Sequence, residues 1–168
     1  KKELTPYDID RIASTEYLVK RIARPSVLII DEVSMLDGGT VSMVDAVCKE
    51  VRKDTRPFGG LQVIFVGDFF QLPPVTRAGE RAHFAFESSA WSALSPIVCY
   101  LSEQHRQDDQ NFLSVLAAIR RGAFEEEHAD HLKERMNKDS FPKNTTKLYS
   151  HNLDVDRVNT IELSKLPG

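Results

Sequence analysis

Val27-Leu-Ile-Ile-Asp31-Glu32 and Leu61-Gln-Val-Ile-Phe-Val-Gly67-Asp68-Phe69-Phe70-Gln71-Leu-Pro-Pro74 are two apolar runs that stop abruptly at carboxylates or an amide. Runs this short and this apolar predict strands buried on both faces, as in parallel sheets covered by helices. In open α/β sheets a ligand sits outside the carboxyl ends of the strands. Asp31, Glu32, Asp68 and Gln71 are therefore expected at one edge, where a metal-bound phosphate would lie. Between the runs, Val41, Val44, Cys48 and Val51 recur at helical spacing, so Thr40 to Lys53 reads as an amphipathic helix. The expectation is an α/β fold with the layout of a nucleotide-hydrolysing motor.

Outward from this centre, Thr5-Pro6-Tyr7-Asp8 has the signature of a helix start: a hydroxyl cap, a first-turn proline and an acid three residues after the cap. A second helix is expected from about Ser14 to before Pro25. Downstream, Thr76 to His83 reads as an exposed loop turning at Gly79, and a short helix is expected around Trp91. Ile97 to Leu101 is a third strand candidate, ending in the polar cluster Ser102-Glu103-Gln104-His105-Arg106-Gln107. Phe112, Val115, Leu116 and Ile119 mark a helix closed by Arg120-Arg121-Gly122. A solvated helix over Glu125 to Lys138, a short strand at Lys147 to Tyr149 and a helix from Leu153 to Leu166 complete the pattern. The boundary between two lobes is placed between Trp91 and Arg106, giving 1–95 and 96–168.

Composition narrows the class. Hydrophobic residues at 41% and charged residues at 28% are ordinary for a globular protein, and a formal charge of -3 carries no global basic signature. A nucleic-acid partner would have to use a local patch. Cys48 and Cys99 stand far apart in apolar patterns without zinc spacing, and read as reduced core thiols of an intracellular protein. No apolar stretch approaches the roughly 20 residues of a membrane span, and no signal peptide opens the chain. The first residue is Lys1 and the last three are Leu166-Pro167-Gly168, which reads as an internal piece of a longer protein.

An Asp-Glu pair after a buried strand suits metal-assisted phosphoanhydride cleavage: one acid holds Mg²⁺ through its water shell, the other orients or deprotonates the attacking water. The plainer alternative makes Asp31 a turn cap and Glu32 a solvated side chain. Gly67-Asp68 followed by Gln71 sets a carboxylate and an amide on a tight turn beside that pair, though Asp68 would also serve as a purely structural turn residue. Phe69 and Phe70 are candidates for base stacking, but alternation predicts that one of them is core. Arg77, Arg81 and His83 make the next loop basic, which suits a phosphate track or a strand-separating wedge as well as simple solvation. Arg120 and Arg121 fit a helix C-terminus, and His128 and His131 fit a polar helix face better than a metal site.

Ile30-Asp-Glu-Val-Ser-Met-Leu36, Gly59-Gly-Leu-Gln-Val-Ile-Phe-Val-Gly-Asp-Phe-Phe-Gln-Leu-Pro-Pro-Val75 and Gln104-His-Arg-Gln107 together resemble the Pif-one family of superfamily-one DNA helicases, which move 5′ to 3′ and are related to RecD. The likeness extends through Phe112–Gly122 and Lys147–Asn152, covering nearly the whole chain. It implies the distal part of one RecA-like P-loop NTPase lobe running into the start of a second, with the second, third and fourth helicase motifs present. The resemblance makes Asp31 the Mg²⁺ ligand, Glu32 the catalytic base, Gln71 a contact to the terminal phosphate of ATP, and Arg106 an arginine finger. A salt bridge from Arg106 to Glu103 or Asp108 is the plainer alternative.

It also implies single-stranded and duplex DNA as partners, a monomeric motor, no membrane, and an intracellular setting in the cytoplasm, nucleoid, nucleus or mitochondrion. One departure stands out. The family's phosphate-binding loop, G-x-x-x-x-G-K-[ST], is absent, since none of the eight glycines is followed by lysine. That loop is expected before Lys1 and the late motifs after Gly168, so the segment alone should hydrolyse little ATP. Two rivals stay open: another strand-loop NTPase of clamp-loader or partitioning type, and a truncated motor remnant that only binds DNA or protein.

Overall fold

The structure, a computed structural model, describes residues 4–77, 79–105, 107–136 and 145–166. The chain divides into two compact units, Lys1–Glu103 and Gln104–Gly168.

In the first unit, α1 (Pro6–Ser14) starts as its sequence dictates. Thr5 Oγ1 accepts the Asp8 N–H at 3.2 Å while the Asp8 carboxylate accepts the Thr5 N–H at 3.0 Å, so two orphan donors are satisfied at once. Helix α2 (Glu16–Ala23) ends ahead of Pro25. Strand β1 (Val27–Ile30) then runs parallel to β2 (Gln62–Phe65), with Leu28 opposite Val63 and Ile30 opposite Phe65. The crossover is α3 (Gly38–Arg52), capped by Asp37, whose carboxylate accepts the Gly39 N–H at 2.8 Å. Its N-terminus lies two residues earlier than helical spacing alone placed it.

Val33, Val41, Cys48, Phe58, Leu61, Ala85 and Ala90 form the buried core, and Leu28, Ile30, Val63 and Phe65 pack on it from one face of the sheet. The other face departs from expectation. Ile29 is 64% exposed and Ile64 41%, so among the described residues the sheet is covered on one face. Apolar composition reports what a strand tolerates, whereas burial requires an element to pack there. Among the described residues, the core cluster takes only the Leu28–Phe65 side.

Two side chains of α3 set where the strands begin. Asp45 is buried; its carboxylate accepts the Phe58 N–H at 2.7 Å and pairs with Lys49 at 2.7 Å. Arg52 donates from Nε to the Gly59 carbonyl at 2.6 Å and from Nη1 to the carbonyls of Ala23 and Pro25, each at 3.1 Å. One guanidinium thus fastens the residues that precede β1 to those that precede β2. The intervening turn runs left-handed through Phe58 and Gly59, and a Cβ on Gly59 would lie 2.6 Å from the Cys48 carbonyl oxygen. Beside it, hydrogen bonds from Arg56 hold the Asp54 carboxyl down at about 2.

After β2 the chain loops to a 3₁₀ turn, Ala85–Glu87, and to α4 (Ser89–Leu94), the short helix expected around Trp91. The second unit holds α5 (Gln110–Arg121), α6 (Glu126–Met136) and α7 (Asn152–Leu163). Asp109 caps α5 through the N–H groups of Asn111 and Phe112 and pairs with Arg135 of α6 at 3.1 Å. Gly122 closes α5 at φ 67°, as the Arg-Arg-Gly ending predicts. The expected end of α6 at Lys138 lies outside the described residues.

Two strand expectations are corrected. Ile97–Leu101 and Lys147–Tyr149 form no strand among the described residues, and Ile97, Tyr100, Leu101 and Leu148 are each at least 90% exposed. β-Branched and aromatic residues fit a ladder only when a neighbouring strand supplies one. Cys48 is buried as expected, but Cys99 is exposed. Among the described residues no helix is long and apolar enough to cross a membrane, and no group of three or more His, Cys, Asp or Glu side chains would hold a metal.

Replacing Asp45 by alanine would leave the Phe58 amide buried without its acceptor. Asp45→Ala is expected to lower the stability of the whole protein by about 1–3 kcal/mol, read as a lower urea midpoint. Asp45→Asn, which keeps an acceptor, should lose less; equal losses would refute the role given to this hydrogen bond.

Candidate active site at the strand ends

The site begins where the β1–β2 ladder stops being regular. The Val66 N–H donates to the Ile30 carbonyl at 2.8 Å, the next rung of the parallel ladder. In a regular ladder the Val66 carbonyl would then accept from Glu32. It accepts instead from Val33, one residue further on, at 3.0 Å. Glu32 is therefore an extra residue, a bulge in the continuation of β1, and its backbone is left-handed at φ 50°, ψ 43°. Its displaced N–H is taken up by Asp31 Oδ1 at 2.9 Å. A glutamate in this conformation costs about 1–3 kcal/mol, a strain that persists only where its surroundings impose it.

The bulge turns both acids outward; Asp31 and Glu32 are exposed at the end of the sheet. The next two residues, Val33 and Ser34, are buried at 2% and 1% exposure, so the segment dives back into the core at once. Asp31 thus caps the turn by accepting one backbone N–H, and its carboxylate lies exposed at the strand end.

The second motif is stitched to the first. Gly67 follows Val66 directly, and a Cβ built on it would stand 2.9 Å from the Val33 nitrogen and 3.0 Å from Val33 Cγ1. The turn beyond is organised by Asp68: its carboxylate accepts the Phe70 N–H at 3.1 Å and the Gln71 side-chain amide at 3.3 Å, and its carbonyl accepts the Gln71 N–H at 2.9 Å. Gln71 is exposed, its amide oriented from Asp68. Pro74 is buried and pins the chain as it leaves.

The two phenylalanines divide as alternation predicts. Phe69 meets Phe84, Phe86 and Trp91 edge-on, with ring centroids at 6.2, 4.9 and 6.1 Å. Phe84 and Phe86 stack on one another, as do Phe65 and Trp91. Phe69 is thereby an anchor for the motif turn, and its ring face is committed to protein. Phe70 is 77% exposed.

One cation of the basic loop is paired. Arg81 pairs with Glu87 at 2.5 Å, His83 stands 4.0 Å from Asp37, and the Arg77 N–H donates to Glu80 at 3.3 Å. The His83 carbonyl accepts the Gly38 N–H at 2.9 Å, so this loop closes back onto the start of α3, just after the acid pair. Arg106 lies outside the described residues.

Sequence reading placed the acids and the glutamine but missed the bulge and Asp45. The bulge left one trace, a glycine directly after the apolar run.

Among known proteins, the PIF1-like helicase family profile matches residues 3–130. An ATP-dependent DNA helicase Pif1 of Psychrobacter sp. (strain PRwf-1) is 41% identical over 177 aligned positions, covering 100% of this chain and 27% of that protein. A Bacteroides Pif1 helicase solved in complex with ADP-AlF3 and ssDNA superposes with a TM-score of 0.84 at 30% identity, over 98% of this chain and 41% of that one. A structure of two coordinating Pif1 helicases at forked duplex DNA gives a TM-score of 0.78 at 29% identity, over 97% of this chain and 41% of that one. The chain spans about a quarter of the length of the curated relatives it matches.

The aromatic assignment is open to measurement. Phe69→Ala is expected to cost the whole protein at least about 1 kcal/mol through its lost ring contacts, and clearly more than Phe70→Ala, in parallel thermal melts. The reverse order would show that Phe69 does not anchor the turn.

Proposed function

Because the chain belongs to the PIF1-like helicase family, we propose that it forms the central part of an ATP-driven DNA helicase, the segment where hydrolysis is set up and passed toward DNA. The observation that carries this reading is the bulge that presents Asp31 and Glu32 beside the turn holding Gln71.

Asp31 fits Mg²⁺. The ion is a hard oxygen-seeker that keeps several waters and takes one or two carboxylates plus substrate phosphates, and Asp31 offers it an exposed carboxylate at the strand end. The ion, when bound, would neutralise charge on the phosphates. Glu32 accepts a proton from the attacking water as the water oxygen bonds to the terminal phosphorus. The bond to the bridging oxygen breaks, and its electron pair leaves with ADP. Gln71, its amide held by Asp68, contacts the terminal phosphate. Arg106 takes the finger role on the strength of the resemblance in Gln104-His-Arg-Gln107; such groups contribute on the order of 10³–10⁵ in rate.

On the DNA side Phe70, exposed and next to Gln71, is our candidate for base stacking. Phe69 is withdrawn from that role because its ring is engaged. Arg77, Arg81 and His83 keep a part in phosphate contact, Arg81 while paired with Glu87. The direction of movement, 5′ to 3′, and action on single-stranded and duplex DNA follow the family. Both acids and Gln71 come from one chain, so each copy of the motor would carry its own.

In the whole protein, Glu32→Gln and Arg106→Ala are each expected to abolish DNA-stimulated ATP turnover while nucleotide still binds, as followed by phosphate release and fluorescent-nucleotide titration. Undiminished turnover in either would remove that residue from the mechanism. Phe70→Ala should weaken single-stranded DNA binding by about 1–3 kcal/mol, measured by anisotropy. Unchanged affinity there would leave the stacking role without support.

A further inference from the structure

Glu32 owes its outward position to a single displaced hydrogen bond, and that bond can form only if the backbone of Val33 comes hard against the chain just after Val66. The residue that permits this approach is Gly67. Its φ of 156° and the 2.9 Å from its would-be Cβ to the Val33 nitrogen leave no room for a side chain. The contact is with backbone as well as with Val33 Cγ1, and Val33 is itself 2% exposed, so it has nowhere to retreat.

We propose that Gly67 is a positioning residue for hydrolysis: its bare Cα against the Val33 N–H holds the one-residue bulge that swings Glu32 out of the ladder. The inference rests on Glu32 being the base. A methyl group at Gly67 displaces Val33, the Val33-to-Val66 bond lengthens, and the chain relaxes toward the regular register in which the Glu32 N–H would take the Val66 carbonyl. The glutamate then turns away from the strand-end edge. Asp31 loses only the N–H it accepts from Glu32, and the strand pairing up to Ile30 is untouched.

The role therefore separates turnover from binding. In the whole protein, Gly67→Ala is expected to lower kcat for DNA-stimulated ATP hydrolysis by about 10²-fold, the scale of a catalytic group misplaced by about 1 Å. Nucleotide affinity, titrated with a fluorescent ADP analogue, should stay within about threefold. Glu32→Gln is measured beside it. If Glu32→Gln is inactive and Gly67→Ala keeps full kcat, the positioning role is overturned. If Gly67→Ala loses kcat and nucleotide affinity in proportion, along with its melting temperature, Gly67 is merely structural and the proposal again fails. If Glu32→Gln itself turns over normally, the fault lies in the reading of Glu32, which that variant alone reveals. Should Gly67→Ala not accumulate as folded protein, Gly67→Ala/Val33→Ala, which removes the Cγ1 contact but leaves the backbone one, is compared with Val33→Ala alone. The same split between kcat and affinity is expected, and its absence overturns the proposal.

Discussion

The pairing of β1 with β2 is the constraint on which the site depends, and within it the two hydrogen bonds of Val66. One reaches back to Ile30 and continues the ladder; the other reaches forward to Val33 and breaks it. Between these anchors two residues must fit where a regular parallel ladder allows one, and those two are Asp31 and Glu32. The geometry of the acid pair is thus a mismatch in length, imposed by a ladder that is regular on one side and a core that recaptures Val33 and Ser34 on the other. Asp45 and Arg52 act at the opposite ends of the strands, where they fix the turn and the loop that bring β1 and β2 alongside.

The same pairing explains how the second motif comes to serve the first. Gly67 touches Val33, Asp68 folds the turn, and Phe69 is sunk among Phe84, Phe86 and Trp91. The turn is thereby held from both sides, by backbone contact toward the acids and by aromatic packing toward α4. Gln71 and Phe70 are left on its exposed rim, adjacent in sequence and tied to one carboxylate. Asp68 accepts from both, through one oxygen each.

Much of this fold is legible in the sequence, and the reason differs from element to element. The capping box of Thr5 and Asp8 and the Gly122 ending of α5 are local chemistry, decided within a few residues, and both appear where the sequence puts them. The acids at the strand ends are readable because an apolar run that halts at carboxylates marks the point where a strand leaves the core for water. The bulge left only the glycine after the second apolar run as a trace, since a one-residue slip depends on a partner strand far along the chain. Asp45 looks like any polar residue on a helix, and only its burial against the Phe58 amide reveals its purpose. Ile97–Leu101 pairs with no strand among the described residues, because a ladder needs a neighbour that composition does not supply.

The stacking of Trp91 on Phe65, with ring centroids 4.4 Å apart, has an optical consequence. It is the sole tryptophan of these 168 residues, and it sits between the core face of β2 and the edge of Phe69. Its emission samples the last residue of β2 and the start of the motif turn together. In a whole protein whose other indoles have been replaced, the fluorescence of this one ring would report each displacement of the loop in real time, with no dye attached to the site.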